Sequence, residues 1–362
     1  MLPESMFSSE SDYSYKIFAI MEVWEKTHLC HTDNKHKYFL LLLFKLGLDL
    51  AVFRLCSRKW YAYFLGMCSF SIILVDLALT VLMATVWFLG AGGSFLSACF
   101  LLSNASVTYG ALPLPMLALG LLDYTLQGTC RTWCRALRNA AMTLLMWFVA
   151  VTYSLLSVTA ELRELEYETG KKALVCETQQ SKLITYFVVI VSTAVVFAFF
   201  PFLASVPRWI READRLCKSR EEKEDKGSDL FFTGDSCKVT TSFEEDYQEP
   251  RPPLWFSLTL GFATFWMPFL FVSVTCLALG FEVPAYISVN LLWLECANSL
   301  LVGGLFWGQS KTQGPYNNLP ENVCLWPVYW HLTNGTRNHP LPVAVSNPSN
   351  SSKEKKNLLS YV

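Results

Sequence analysis

The stretch "WMPFLFVSVTCLALGFEVPAYISVNLLWLECANSLL", residues 266–301, holds two long apolar runs on either side of a tight turn near 280–284. It carries only two acids, Glu282 and Glu295, and no base. The runs extend outward to 254–279 and 284–307, each above the ~20 apolar residues that a bilayer crossing requires. Neither alternates polar with apolar, so helices are expected rather than barrel strands.

The same reading applied outward finds five more such stretches, at 38–56, 61–89, 95–122, 139–160 and 183–206. The chain as a whole is 52% hydrophobic and 16% charged, with a mean hydropathy of +0.32. That is a membrane composition, although 362 residues alone would suggest two soluble domains. A net charge of −1 and the lack of a long basic run point away from nucleic acid. Residues 1–37 are charged throughout and lack an apolar core before a small-residue cleavage site, so the first span is expected to do the targeting.

Positive charge sets the expected orientation. With the N-terminus outside, the inner segments hold Arg54, Arg58, Lys59, Arg131, Arg135, Arg138 and nine further Lys/Arg in 207–253. The outer turns near 90–94 and 280–284 hold none, and the outer loop at 161–182 has more acids than bases. The organisation is therefore an extracellular tail at 1–37, an all-α seven-helix bundle at 38–307 and a cytoplasmic tail at 308–362, with 207–253 a flexible inner loop. The sequons at Asn334 and Asn350 fall on the inner side and read as chance matches. The chain ends "LLSYV", whose Ser360 to Val362 fits the terminus that PDZ domains take as an added strand.

Of twelve cysteines, Cys99 opens the third span at its outer end and Cys176 lies in the long outer loop. In the oxidising compartment they are the natural disulfide, two buried thiols being the alternative. Cys30 is left over outside. The inner "CRTWC" at 130–134 lacks two further zinc ligands, so palmitoylation or burial is expected there, and no metal or cofactor is implied.

Asp123 closes the third span in "LALGLLDYTL", residues 117–126, 24 residues after Cys99. At ~1.5 Å per residue that is about 36 Å, so Cys99 and Asp123 mark opposite ends. A carboxylate at the end of an oily helix needs a holder, and Arg131, Arg135 or Arg138 can supply it, a solvated helix end being the alternative. Lys45 and Asp49, one turn apart on the first span, predict a mutual neutral pair.

Taken together, Cys99, Asp123, Asp76 in "LVDLAL", Trp147, "FATFWMPF" and "ANSLLVGGLF" resemble the rhodopsin-like G-protein-coupled receptors over about 38–307. The resemblance implies a multi-pass plasma-membrane receptor that binds an extracellular ligand and signals to heterotrimeric G proteins or arrestin. It places Trp266, Pro268 and Phe262 at the floor of the ligand pocket, with Glu295 facing the middle of the bundle. A ligand cation, Lys45 or a proton are the alternatives for that acid. It places Asp76, Asn298 and Ser299 at a mid-membrane polar site that holds sodium in many members. Pro113 and Val302 stand where serine and asparagine are usual there, which weighs against sodium and leaves a protonated or hydrogen-bonded acid. Asp123 stands where the family has the first residue of its Asp-Arg-Tyr box, but Tyr124 replaces the switch arginine. The Asn-Pro-x-x-Tyr motif is altered too, reading "VGGLF" at 302–306.

A hairpin around Cys176, and the lack of an aspartate on the third span at a depth suited to amines, favour a peptide ligand. A transporter or a non-signalling, scavenging receptor is the alternative. An enzyme is not expected, because all five histidines lie outside the spans and no nucleophile–base pair appears within them.

Overall fold

A computed structural model describes residues 16–25, 31–56, 63–89, 97–126, 132–158, 162–166, 171–229, 251–309 and 322–334. Cys30, Cys130, Arg131, Asn350 and Ser360 to Val362, on which several expectations rest, lie outside the described residues.

The helices are α1 Lys35–Cys56, α2 Phe64–Leu89, α3 Ala98–Ala111, α4 Pro113–Thr125, α5 Thr132–Ser157, α6 Lys182–Phe199, α7 Val206–Asp229, α8 Leu254–Ala278, α9 Ala285–Ser288, α10 Leu291–Gln309 and α11 Trp326–Asn334. Among the described residues, six spans are long and apolar enough to cross a membrane by length and composition: Phe64–Phe88, Ala98–Thr125, Trp133–Ser157, Lys182–Phe202, Leu254–Ala278 and Leu291–Gly308. Seven were expected. The first expected stretch is the 22-residue helix α1, in which Lys45 and Asp49 interrupt the apolar surface.

Local chemistry explains where the helices end. The third stretch, expected to be one helix, is two, because Pro113 and Pro115 cannot donate to the helical ladder. At the junction Leu112 N–H bonds instead to Tyr109 O at 3.3 Å. After α8, Gly280 takes φ +70°, which glycine adopts without a Cβ penalty. Phe281 N–H then reaches Cys276 O at 3.0 Å and Gly280 N–H reaches Leu277 O at 3.1 Å, the paired bonds of a Schellman stop. The seventh stretch also breaks, between α9 and α10. Asn290 Oδ1 accepts from Trp293 N–H at 3.0 Å, and Asp49 Oδ1 of α1 accepts from Leu291 N–H at 2.9 Å, so a buried acid caps α10.

The residues form two compact units, and α6, α8 and α10 each contribute to both. In the first, α2 packs against α1, α3, α4 and α5. A four-stranded antiparallel sheet belongs to this unit, built from β1 Lys16–Glu25, β2 His31–Asp33, β3 Arg163–Glu166 and β4 Lys171–Gln179 in the order β2-β1-β4-β3. β4 pairs β1 from Lys16↔Gln179 to Glu25↔Lys171, with an irregularity between Ile20 and Glu22. The part of the expected tail at residues 16–25 is therefore a strand.

The second unit holds α7, α11 and the first turns of α8. Its core is Trp209, Ala213, Phe256, Leu260, Val328, Tyr329 and Leu332. Residues 207–229 were expected to belong to a flexible loop. They form a helix because Trp209 and Ala213, one turn apart, present an apolar edge beneath the charges.

Candidate functional site

Three groups of buried polar side chains occupy the first unit, each where a helix offers a polar residue to its neighbours. Lys45 on α1 reaches Asp76 on α2, Nζ to Oδ1 2.5 Å, and both are almost wholly buried. Tyr109 of α3 donates to the same oxygen at 2.6 Å, and its ring lies under the Lys45 ammonium at 4.5 Å from the centroid. Tyr109 in turn packs edge-on against Trp147 of α5, whose indole donates to Ser71 at 2.9 Å. Asp49 stands 4.0 Å from Lys45. The expected Lys45–Asp49 pair is thus secondary. Lys45 serves the acid on the next helix, and Asp49 turns to the Leu291 amide.

The second group is a chain of hydrogen bonds. Ser69 of α2 donates to Glu295 Oε1 at 3.0 Å, Asn298 Nδ2 donates to Glu295 Oε2 at 3.2 Å, and Tyr124 donates to Asn298 Oδ1 at 2.5 Å. Ser299 bonds back to Glu295 O at 2.9 Å and to Asn322 Oδ1 at 3.2 Å. Asp76, Asn298 and Ser299 were expected to share one mid-membrane site. In the structure Lys45 and Tyr109 both bond to Asp76 Oδ1, and Asn298 joins α4 to α10. A sodium ion near Asp76 would have to compete with a resident ammonium at 2.5 Å.

The third group answers what holds Asp123. Arg135 of α5 binds it through two nitrogens, Nε to Oδ1 at 3.3 Å and Nη2 to Oδ2 at 3.2 Å, and Arg138 Nη2 lies 2.5 Å from Oδ1. Phe64 N–H, at the start of α2, donates to Oδ2 at 3.0 Å. One carboxylate therefore ties three helices, and the charge-assisted bonds are the stronger kind. Tyr124 takes no part in holding it.

Of the residues expected to line a ligand pocket, Trp266 is buried, edge-on to Phe265 and Phe269 at 5.0 and 6.3 Å. Its indole N–H has no acceptor among the described residues. Pro268 sits inside α8, and Phe262 is buried on the same helix. Glu295 bonds to Ser69 and Asn298 rather than to Lys45.

A disulfide joins Cys99 at the start of α3 to Cys176 in β4. Ser103 donates to Glu177 O, and Gln179 N–H donates to Ser106 Oγ at 3.0 Å, so α3 carries β4 by one covalent and two hydrogen bonds. β4 in turn carries β1, whose Ala19 and Met21 are buried. The Lys35–Glu22 pair at 2.7 Å ties β1 to the start of α1. Sequence reasoning missed β1, although the run of Ile, Phe, Met, Val and Trp in 16–25 is a strand signal.

No family model matches the chain. The chain is similar to three proteins named probable G-protein coupled receptor 160: one from Rattus norvegicus, 24% identical over 288 residues, 74% of this chain and 79% of the relative; one from Mus musculus, 26% identical over 294 residues with the same two shares; and one from Homo sapiens, 22% identical over 288 residues, 76% and 80%. The chain thus resembles G-protein-coupled receptors of this kind, consistent with the rhodopsin-like resemblance of its motifs. With the six apolar spans, this makes it a multi-pass membrane protein.

Proposed function

We propose that the chain is a plasma-membrane receptor with its N-terminus outside, α1 as the first of seven spans and its tail inside. It binds an extracellular ligand, a peptide in preference to an amine, and signals through G proteins or arrestin with altered inner switches. The observation that carries this reading is the sheet anchored to α3 by Cys99–Cys176. It gives the chain a rigid platform at the end opposite Asp123, and strands are suited to recognising extended peptides. In this reading Trp266 offers its buried N–H to the ligand, and Glu295 relays the event through Asn298 to Tyr124. A ligand that binds one arrangement of this relay better than the other shifts its population.

Tyr124 changes the output. Where the resembled family keeps an arginine that pairs at rest and contacts the G protein when freed, this chain has a phenol bonded to Asn298. Asp123 is already neutralised by Arg135 and Arg138, so the expected phenotype is weak G-protein activation. The test is ligand-independent recruitment of a panel of G proteins and arrestins, wild type against Tyr124→Arg at matched surface expression. Weak recruitment that rises in the variant is expected. Robust wild-type coupling that the substitution leaves unchanged would overturn the reading.

The transporter alternative gains one observation, the helix break between α9 and α10. Transporters present such half-helix N-termini to anionic substrates, but here Asp49 already fills the Leu291 amide. Sodium-driven uptake into cells would favour that alternative, and ligand internalisation without any transducer would favour a scavenger. Ser360 to Val362 adds a candidate PDZ contact, which Val362→Ala should abolish.

A further inference from the structure

α11 is only nine residues long, too short to hold a helix alone in water. Its order comes from packing. Val328, Tyr329 and Leu332, at positions i, i+1 and i+4, form one apolar face, and all three are buried. They lie in a groove whose walls are Trp209 and Ala213 of α7 and Phe256 and Leu260 of α8. The groove is lined by packed rings: Phe202 lies tilted on Phe256 at 4.5 Å and Trp209 edge-on to Phe256 at 5.3 Å.

Two details show that the fit is specific. A Cβ on Gly261 would lie 2.7 Å from the Tyr329 ring, so the absence of a side chain there makes room for the phenol. At the far end of α11, Thr333 Oγ1 donates to Ser257 Oγ at 2.5 Å. An apolar helix face laid into a groove with anchors at i, i+1 and i+4 is the helix-in-groove mode of peptide recognition.

We infer that the α7–α8 groove is a docking surface for one short helix with an apolar face, that α11 of this chain is its resident, and that a signalling partner must displace α11 to bind there. The last clause rests on the receptor reading above, which puts this end of α7 and α8 on the inner side. The occupant is tethered, because α11 belongs to the same chain and begins 17 residues after Gln309. A short tether gives the resident an effective concentration in the millimolar range, which an outside helix has to overcome. A groove closed 99% of the time lowers a competitor's apparent affinity about 100-fold.

The experiment uses the full chain. In Ser257→Cys/Thr333→Cys, oxidation should form a 257–333 disulfide, identified by peptide mapping against the native cysteines. Failure of that bond to form would overturn the inference. In Leu260→Cys, an inner-side maleimide should label slowly, about tenfold faster when Tyr329→Ala/Leu332→Ala is added, and more slowly again when the 257–333 bond is closed. Gly261→Ala, which keeps a good helix former in α8, should release α11 independently and speed labelling in the same direction. Labelling that ignores all three changes would overturn the inference. With the panel of G proteins and arrestins, release should raise recruitment about tenfold and the lock should abolish it, whereas recruitment indifferent to both lock and release would overturn it. Crosslinking and labelling as expected, with no transducer engaging any variant, would sink the receptor reading while supporting the docked helix.

Discussion

Asp76 and Asp123 are both buried carboxylates on adjoining helices, 1% and 5% exposed, and they are neutralised in opposite ways. Asp76 is met by one ammonium from a neighbouring helix, itself 3% exposed, and by the hydroxyl of Tyr109. Asp123 is met by two arginines at the start of α5, whose side chains are 16% and 35% exposed. The first arrangement is closed to water. Its desolvation cost is sunk in the fold, and the second carboxylate within reach of Lys45, Asp49 at 4.0 Å, is as buried as the first. The second has redundant cations that reach solvent, so either can leave while the other stays. The cations that water can reach thus stand on the next helix and not beside the acid in sequence.

The largest test of this contrast is Lys45→Met. Removing one partner of a buried pair leaves an uncompensated charge, and the expected loss is about 3–5 kcal/mol. It should appear as collapse of surface expression and of thermal stability in detergent. The double variant Lys45→Met/Asp76→Asn should recover most of that loss, because a neutral amide needs no counter-ion. If Lys45→Met costs no more than removing one arginine at Asp123, the distinction between a closed and an open pair is wrong.

Next in size is Tyr124→Phe. It deletes the hydroxyl that donates to Asn298 and leaves a buried acceptor, for a cost of about 1–3 kcal/mol. The loss should be shared by Asn298→Ala, and the two should be far from additive, because they remove the same bond. Additive losses in a double-mutant thermal series would show that Tyr124 and Asn298 act apart, and the link from α4 to α10 would fail with them.

Much of this is legible in the sequence, and what is not has physical reasons. The apolar stretches predict the six spans closely, since twenty apolar residues leave a chain few alternatives. Arg135 and Arg138 are readable as holders of Asp123 because they sit just beyond it along the chain. Lys45 is only half legible: i,i+4 spacing points to Asp49, which it meets at 4.0 Å, whereas the nearer carboxylate, Asp76, is 31 residues away on another helix. The bond from Tyr124 to Asn298 is not legible either, because it joins two helices across 174 residues of chain. β1 is hidden because a strand without its partner looks like any mixed tail, and its partner β4 lies some 150 residues later. The helical start of the charged segment at 207–253 is hidden because its apolar edge is narrow, and α11, more than 100 residues later, covers it.

The smallest effect is the most discriminating between the two acids. Arg138 is the more exposed of the two arginines, and its loss leaves Arg135 in place with two nitrogens on Asp123 and its guanidinium 5.1 Å from the centre of the Tyr63 ring. Arg138→Gln should therefore cost about 0.5–1 kcal/mol, in the range of a partly exposed ion pair. Arg135→Gln should cost more, since it also gives up the ring contact, worth about 0.5–1 kcal/mol. Salt separates the two regions further. Raising ionic strength from 0.1 to 1 M shortens the screening length from about 10 Å to about 3 Å, which weakens pairs that water can reach and spares those it cannot. The wild-type-minus-Arg138→Gln difference in thermal stability should accordingly shrink toward zero at 1 M salt, while the wild-type-minus-Lys45→Met difference stays as large as before. A salt response of equal size in both series would mean that water reaches Asp76 as readily as Asp123. The acid beside Lys45 would then be as open to exchange as the one beside Tyr124.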